Sequence, residues 1–164
     1  KTNTSTAIPS RSSQPDRMGR LIEDQAKVNR LNSEGLGFAK RGLLEYAIAS
    51  WKKALTFSMD NELKGQILFN LGRANEKQGQ IEQAIEHYQN CVQINPAQFN
   101  ALCNIGSIYM DKGDHYKALE YLLAAEKINP TDDITLNNLV DCYNELEDYD
   151  EAIKWKKKLN NLSN

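Results

Sequence analysis

Asn70, Asn104 and Asn138 stand at intervals of 34 residues. A side-chain amide offers both a donor and an acceptor, so three of them in register can pair with the main chain of an extended peptide without reading its side chains. Gln66, Arg73, Asn100, Ser107, Asn137 and Asp141 lie at neighbouring offsets and are also polar. Groups suited to covalent chemistry are sparse. His87 and His115 have no cysteine or carboxylate at metal-ligand spacing. His115 is expected to pack against neighbours and His87 to face solvent. Cys91, Cys103 and Cys142 follow no disulfide or metal pattern, and Cys91 falls at a core position, where a reduced, buried thiol behaves as a small hydrophobe. Free thiols point weakly to a reducing compartment. No phosphate-binding loop, dinucleotide fingerprint or nucleophile elbow appears. The chain therefore reads as a non-enzyme, with no catalytic residue, no metal site and no cofactor.

The elements that must position the amides also recur. Asp114 to Glu120 reads Asp-His-Tyr-Lys-Ala-Leu-Glu; 34 residues earlier stands Gln-Ile-Glu-Gln-Ala-Ile-Glu, and 34 later Asp-Tyr-Asp-Glu-Ala-Ile-Lys. Aligned on Ala47, Ala84, Ala118 and Ala152, the chain divides into four units separated by 37, 34 and 34 residues. Twelve residues before each alanine stands Gly35, Gly72, Gly106 or Val140. Five before it stands Gly42, Gly79, Gly113 or Glu147, and twelve after it Pro96 and Pro130 in the middle units. Within the third unit Leu102, Ile105, Gly106 and Tyr109 mark one face of a helix, and Ala118, Leu119, Leu122 and Ala125 a second. Gly113-Asp114 separates them. Asn129 ends the second helix, because a residue before proline is pushed out of the α region. Gly106 and Ala118 are expected to be small because the two helices cross there.

A period of 34 with these offsets resembles the tetratricopeptide repeat from about Val28 to Leu159. The resemblance implies an all-α fold: a right-handed α-solenoid of about four helix-turn-helix units, eight to nine helices in all, with units near 28–61, 65–98, 99–132 and 133–164. Each helix pair leaves an apolar side that only a neighbour can cover. It also implies that the first helices line the concave side. That places Gln66, Asn70, Arg73, Asn100, Asn104, Ser107, Asn137, Asn138 and Asp141 in the groove as candidate peptide-binding residues. The implied function is non-catalytic protein binding, as an adaptor or assembly factor holding an extended peptide or helix. The asparagines could equally hold neighbouring helices together. The carboxylate clamp with which some members hold a chaperone's acidic terminus would use Asn32, Leu36, Asn70, Asn100 and Asn104 here. Only Asn70 fits and the lysines are missing, so a chaperone co-factor is disfavoured.

Composition sets the outer bounds. The 164 residues are one domain's worth of chain, 40% hydrophobic, 26% charged and of net charge −2. No apolar run is long enough for a membrane-spanning helix, and the net charge does not suit a general nucleic-acid binder. An intracellular and most simply cytoplasmic protein is expected. Residues 1–20 are basic and rich in Ser, Thr and Pro, too poor in apolar residues to fold alone. They read as a disordered tail before a repeat domain at 21–164, and such a start also suits the remnant of an organelle transit peptide. From about Leu21 a long first helix is expected, with Leu21, Val28, Leu31, Gly35 and Phe38 on one face. The three extra residues near 56–63 are expected to lengthen a helix, with Asp60 as a cap for the next. Lys156-Lys157-Lys158 reads as a solvated helix end. Ile153, Trp155 and Leu159 are expected to be partly open. Contact through that end, as a homodimer or as a structural subunit of a larger complex, is the alternative function.

Overall fold

The computed structural model describes residues 16–57 and 59–162. Among these residues there are eight α-helices and no strand: α1 (Arg17–Lys40), α2 (Leu44–Ala54), α3 (Asn61–Lys77), α4 (Ile81–Ile94), α5 (Phe99–Asp111), α6 (His115–Ile128), α7 (Asp133–Glu145) and α8 (Tyr149–Leu162). They pair as four hairpins, α1 with α2 through α7 with α8, and each hairpin packs on the next. α5 also touches α7, so the first helices of the last two hairpins meet directly. The architecture is an α-solenoid.

The turn inside each hairpin is built the same way. In the second, Gly79 has φ 73°. Its N–H reaches the Glu76 carbonyl at 2.9 Å, and the Gln80 N–H reaches the Asn75 carbonyl at 2.9 Å. This paired closure needs one residue in the left-handed region, where glycine carries no Cβ penalty. Gly42 and Gly113 take the same role at φ 75° and 74°. The fourth hairpin does it with Glu147 at φ 59°. Between hairpins the sequence stops the helices differently: Asn95 and Asn129 leave the α region before Pro96 and Pro130.

Packing within a hairpin explains the first of the recurring glycines. A Cβ on Gly35 would come within 2.5 Å of the Trp51 indole, one on Gly72 within 2.5 Å of the Tyr88 ring, and one on Gly106 within 2.8 Å of Leu122. The glycine thus makes room for a large side chain four residues beyond the repeat alanine, more than for the alanine itself. The Ala118 carbonyl lies farther off, at 3.6 Å. The fourth hairpin has Val140 and the exposed Lys156 at these two places.

Three buried clusters follow one another along the stack. The first joins α1, α2 and α3 around Val28, Leu31, Trp51, Ile67 and Leu71. The second joins α3, α4 and α5 around Tyr88, Cys91, Ala101 and Ile105. The third joins α6, α7 and α8 around Leu122, Leu136, Leu139 and Leu159. Apolar burial at roughly 25 cal/mol per Å² therefore accrues between hairpins as well as within them.

Several expectations change in detail. α1 starts at Arg17 with Asp16 as its N-cap, the carboxylate accepting from the Gly19 N–H at 2.7 Å. Arg17 to Arg20, assigned to the tail, are thus helical; residues 1–15 of the tail lie outside the described residues. Leu21 is exposed, because α1's buried face begins only at Val28. The extra residues lengthen α3, which has 17 residues against 13 in α5 and in α7, while α2 is shortened to 11. Asp60 caps α3, accepting from the Leu63 N–H at 2.8 Å.

Candidate functional site: the polar face of the first helices

Asn70, Asn104 and Asn138 occupy equivalent places on α3, α5 and α7, each half-buried. Their surroundings are not equivalent. The residue packed on the preceding hairpin's glycine is Tyr88 beside Asn104, and the Asn104 side-chain N–H donates to the Tyr88 hydroxyl at 3.0 Å. That hydroxyl donates in turn to the Glu76 carboxylate at 2.7 Å. Burial and the neighbouring Glu76 charge both push the Tyr88 phenol well above its ordinary pKa, so it stays a donor. The corresponding residue for Asn70 is Trp51, whose indole N–H is already given to Asn32 at 3.0 Å. For Asn138 it is Leu122, which has nothing to offer. Asn104 is therefore a structural strut that ties α5 to the second hairpin. The side chains of Asn70 and Asn138 make no hydrogen bond among the described residues.

The other candidates divide similarly. Asn100 and Asp141 are exposed, and Ser107 is half-buried. Asn137 folds back, its N–H donating to the Asp133 carbonyl at 2.8 Å. Gln66 points along its own helix to Glu62 at 3.5 Å. The Arg73 guanidinium lies over the Phe69 ring at 6.0 Å from its centre. Between α1, α2 and α3 a cavity of about 320 Å³ opens beside Asn70 and Arg73. Lys40 and Lys77 also line it, and sequence reasoning missed them. The signal was available, because Lys40 and Lys77 stand 37 residues apart, like Ala47 and Ala84.

At the far end, Ile153 is open at 53% exposure and Trp155 is half-buried against the third cluster. Leu159 is not part of an open patch. It is 9% exposed and sits within that cluster. Only one face of α8 meets α7, and Leu159 follows Trp155 by four residues, so both turn to that face. Lys158 is not simply solvated either: it pairs with Glu126 of α6 and lies over the Trp155 ring.

His87, Cys91 and Cys142, outside this face, are packing elements. His87 is half-buried, contrary to the solvent-facing expectation, and its Nδ1 is buried without a partner. Desolvation, which outweighs the pull of Glu86, holds its pKa below the ordinary value. Cys91 is fully buried and its thiol donates to the Gly65 carbonyl at 3.2 Å. Burial pushes Cys142 up to about 11, which leaves it a thiol at neutral pH. The three cysteines are free. Among the described residues no group of three His, Cys, Asp or Glu side chains could hold a metal ion, and no helix is long and apolar enough to cross a membrane.

Stacked helical hairpins with a left-handed residue closing each turn and a polar face along the first helices define a helical-repeat interaction scaffold. The chain belongs to the tetratricopeptide-repeat family: a model described as TPR repeat matches residues 72–113, and models described as tetratricopeptide repeat match 99–132 and 135–163. The first unit rests on the geometry of α1 and α2. Among solved structures, a crystal structure of MamA is 26% identical, with 87% of this chain and 82% of that one covered and a TM-score of 0.75. A tetratricopeptide repeat protein from Parabacteroides merdae is 25% identical over 82% of this chain and 52% of its own, at a TM-score of 0.77. YrrB, described as a TPR protein with an unusual peptide-binding site, is similar in fold, at 20% identity and a TM-score of 0.70 over 87% of this chain and 72% of its own. No curated protein sequence matches the chain.

Proposed function

We propose that this chain is a non-catalytic adaptor or assembly factor that holds an extended peptide in the concave groove formed by α1, α3, α5 and α7. The observation that carries this reading is the row of partly exposed amides at one repeat position, two of which have no hydrogen bond among the described residues. A half-exposed amide that no side chain engages keeps both its donor and its acceptor open to a ligand's main chain. The main chain of an extended segment offers donors and acceptors at short, regular intervals, so three amides on three adjacent helices can each take one.

The test is a triple variant, Asn70→Ala, Asn104→Ala, Asn138→Ala, compared with the parent for partner capture from source lysate. Asn104→Ala also frees the Tyr88 hydroxyl, so a single Asn104→Ala control separates loss of stability from loss of contact. Capture abolished in the triple variant and retained in the control supports the groove. Capture unchanged in both contradicts it.

A second reading has its own observation. Tyr149 and Ile153, with Leu162, leave apolar surface open on α8, which suits a structural subunit that meets a neighbour there. Unchanged capture by the asparagine variant, lost on Ile153→Asp, would favour that reading.

A further inference from the structure

We propose that the cavity between α1, α2 and α3 is a subsite for a peptide carboxylate next to an apolar side chain, and that it fixes the direction in which a peptide lies along the groove. The proposal rests on the peptide-groove reading above. Leu36, Leu44 and Trp51 give the cavity an apolar floor, and Lys40, Arg73 and Lys77 line it beside the Asn70 amide. No carboxylate lines it, and none of the three cations forms an ion pair among the described residues. Glu76, on the same helix as Arg73 and Lys77, is engaged by the Tyr88 hydroxyl. Three unpaired cations around a half-enclosed apolar floor suit an anion whose neighbour is apolar. Arg73, steadied over the Phe69 ring, offers the planar fork that binds a carboxylate through two parallel hydrogen bonds.

Direction follows from the repeat. The position of Lys40 and Lys77 is filled by Asp111 in the third hairpin and Glu145 in the fourth. The position of Arg73 is filled by Ser107 and then Asp141. Asp111, Asp141 and Glu145 are exposed and form no ion pair among the described residues. At these two positions the first two hairpins carry Leu36, Lys40, Arg73 and Lys77, and the last two carry Ser107, Asp111, Asp141 and Glu145, so the charge runs from positive to negative along the stack. A peptide with acidic and apolar residues at one end and basic residues at the other has one favourable orientation, since the reverse sets like charges together. Residues 1–15 of this chain are a poor occupant of the cationic subsite, because they contain Lys1 and Arg11 and no acid.

The test selects binders from a random linear peptide library on the full chain. It then measures the selected peptides by fluorescence anisotropy against the parent and against Lys40→Gln, Arg73→Gln, Lys77→Gln. These are exposed positions, so the fold is retained, and circular dichroism verifies it. The expected binders carry Asp, Glu or a free terminal carboxylate beside Leu, Ile, Met or Phe at one end and Lys or Arg at the other. They lose about tenfold or more in affinity for the glutamine variant, the scale of one charge-assisted hydrogen bond. In a Trp155→Phe background Trp51 alone reports, and its emission shifts on binding. Amidated peptides separate the two sources: loss assigns the terminal carboxylate, no change a side chain. Binders without acid, or equal affinity for parent and glutamine variant, overturn the subsite and leave the groove reading standing. A library that yields no binder overturns both.

Discussion

Asn75 occupies the repeat position that Phe38, Tyr109 and Tyr143 fill in the other hairpins. It is 1% exposed, and neither its side-chain oxygen nor its nitrogen has a hydrogen-bond partner. An unpartnered buried amide costs about 1–3 kcal/mol, and leucine has nearly the same shape without the polar atoms. Asn75→Leu is therefore expected to stabilise the protein by about 1–3 kcal/mol, read as a rightward shift of the urea midpoint at unchanged slope. A leftward shift would show that the amide has a partner. The substitution of a polar residue at an aromatic position could be read from the sequence, but its lack of a partner could not. The same divide separates Asn70, Asn104 and Asn138. Their spacing is plain in the sequence, whereas the tie from Asn104 to Tyr88 depends on which side chain the preceding hairpin places opposite, and Trp51, Tyr88 and Leu122 differ at that place. His87 and Leu159 depart from expectation for a related reason: a helix exposes or buries a side chain according to the neighbouring hairpin, which a single helix's pattern does not contain.

The helices themselves were largely legible. Proline, asparagine and glycine at fixed offsets mark where each must stop, and the extra turn of α3 follows from an insertion of nearly one helical turn capped by Asp60. α1 starts earlier than composition suggests, because its cap, Asp16, lies in a stretch whose composition speaks against folding. Glu147 shows what the turn needs. It sits at φ 59° where three other hairpins have glycine, and the left-handed region costs a residue with a Cβ roughly 1–2 kcal/mol. Glu147→Gly is expected to recover about 1 kcal/mol after the entropic cost of glycine. For a chain of this size that raises the thermal midpoint by about 2–4 °C. The reciprocal Gly113→Glu lowers it. A midpoint unmoved by Glu147→Gly would mean that the fourth hairpin does not depend on this turn.

Across the whole molecule, the repeat fixes a scaffold and leaves its surface free, so family membership defines an interaction module without defining a partner. The order of charges along the first helices was present in the sequence but invisible until Lys40, Lys77, Asp111 and Glu145 were compared position by position. The cavity that collects the cations was not legible, because it arises where α1, α2 and α3 meet. Binding of a partner along the first helices is the proposal on which the other functional readings depend. It is tested most directly by photo-cross-linking in source lysate, with a benzophenone side chain placed at Asn100 on α5 and, separately, at the exposed Glu120 on α6. A ligand in the groove gives a cross-linked partner from position 100 and none from position 120. A partner captured from position 120 alone would place binding on the opposite face and contradict it.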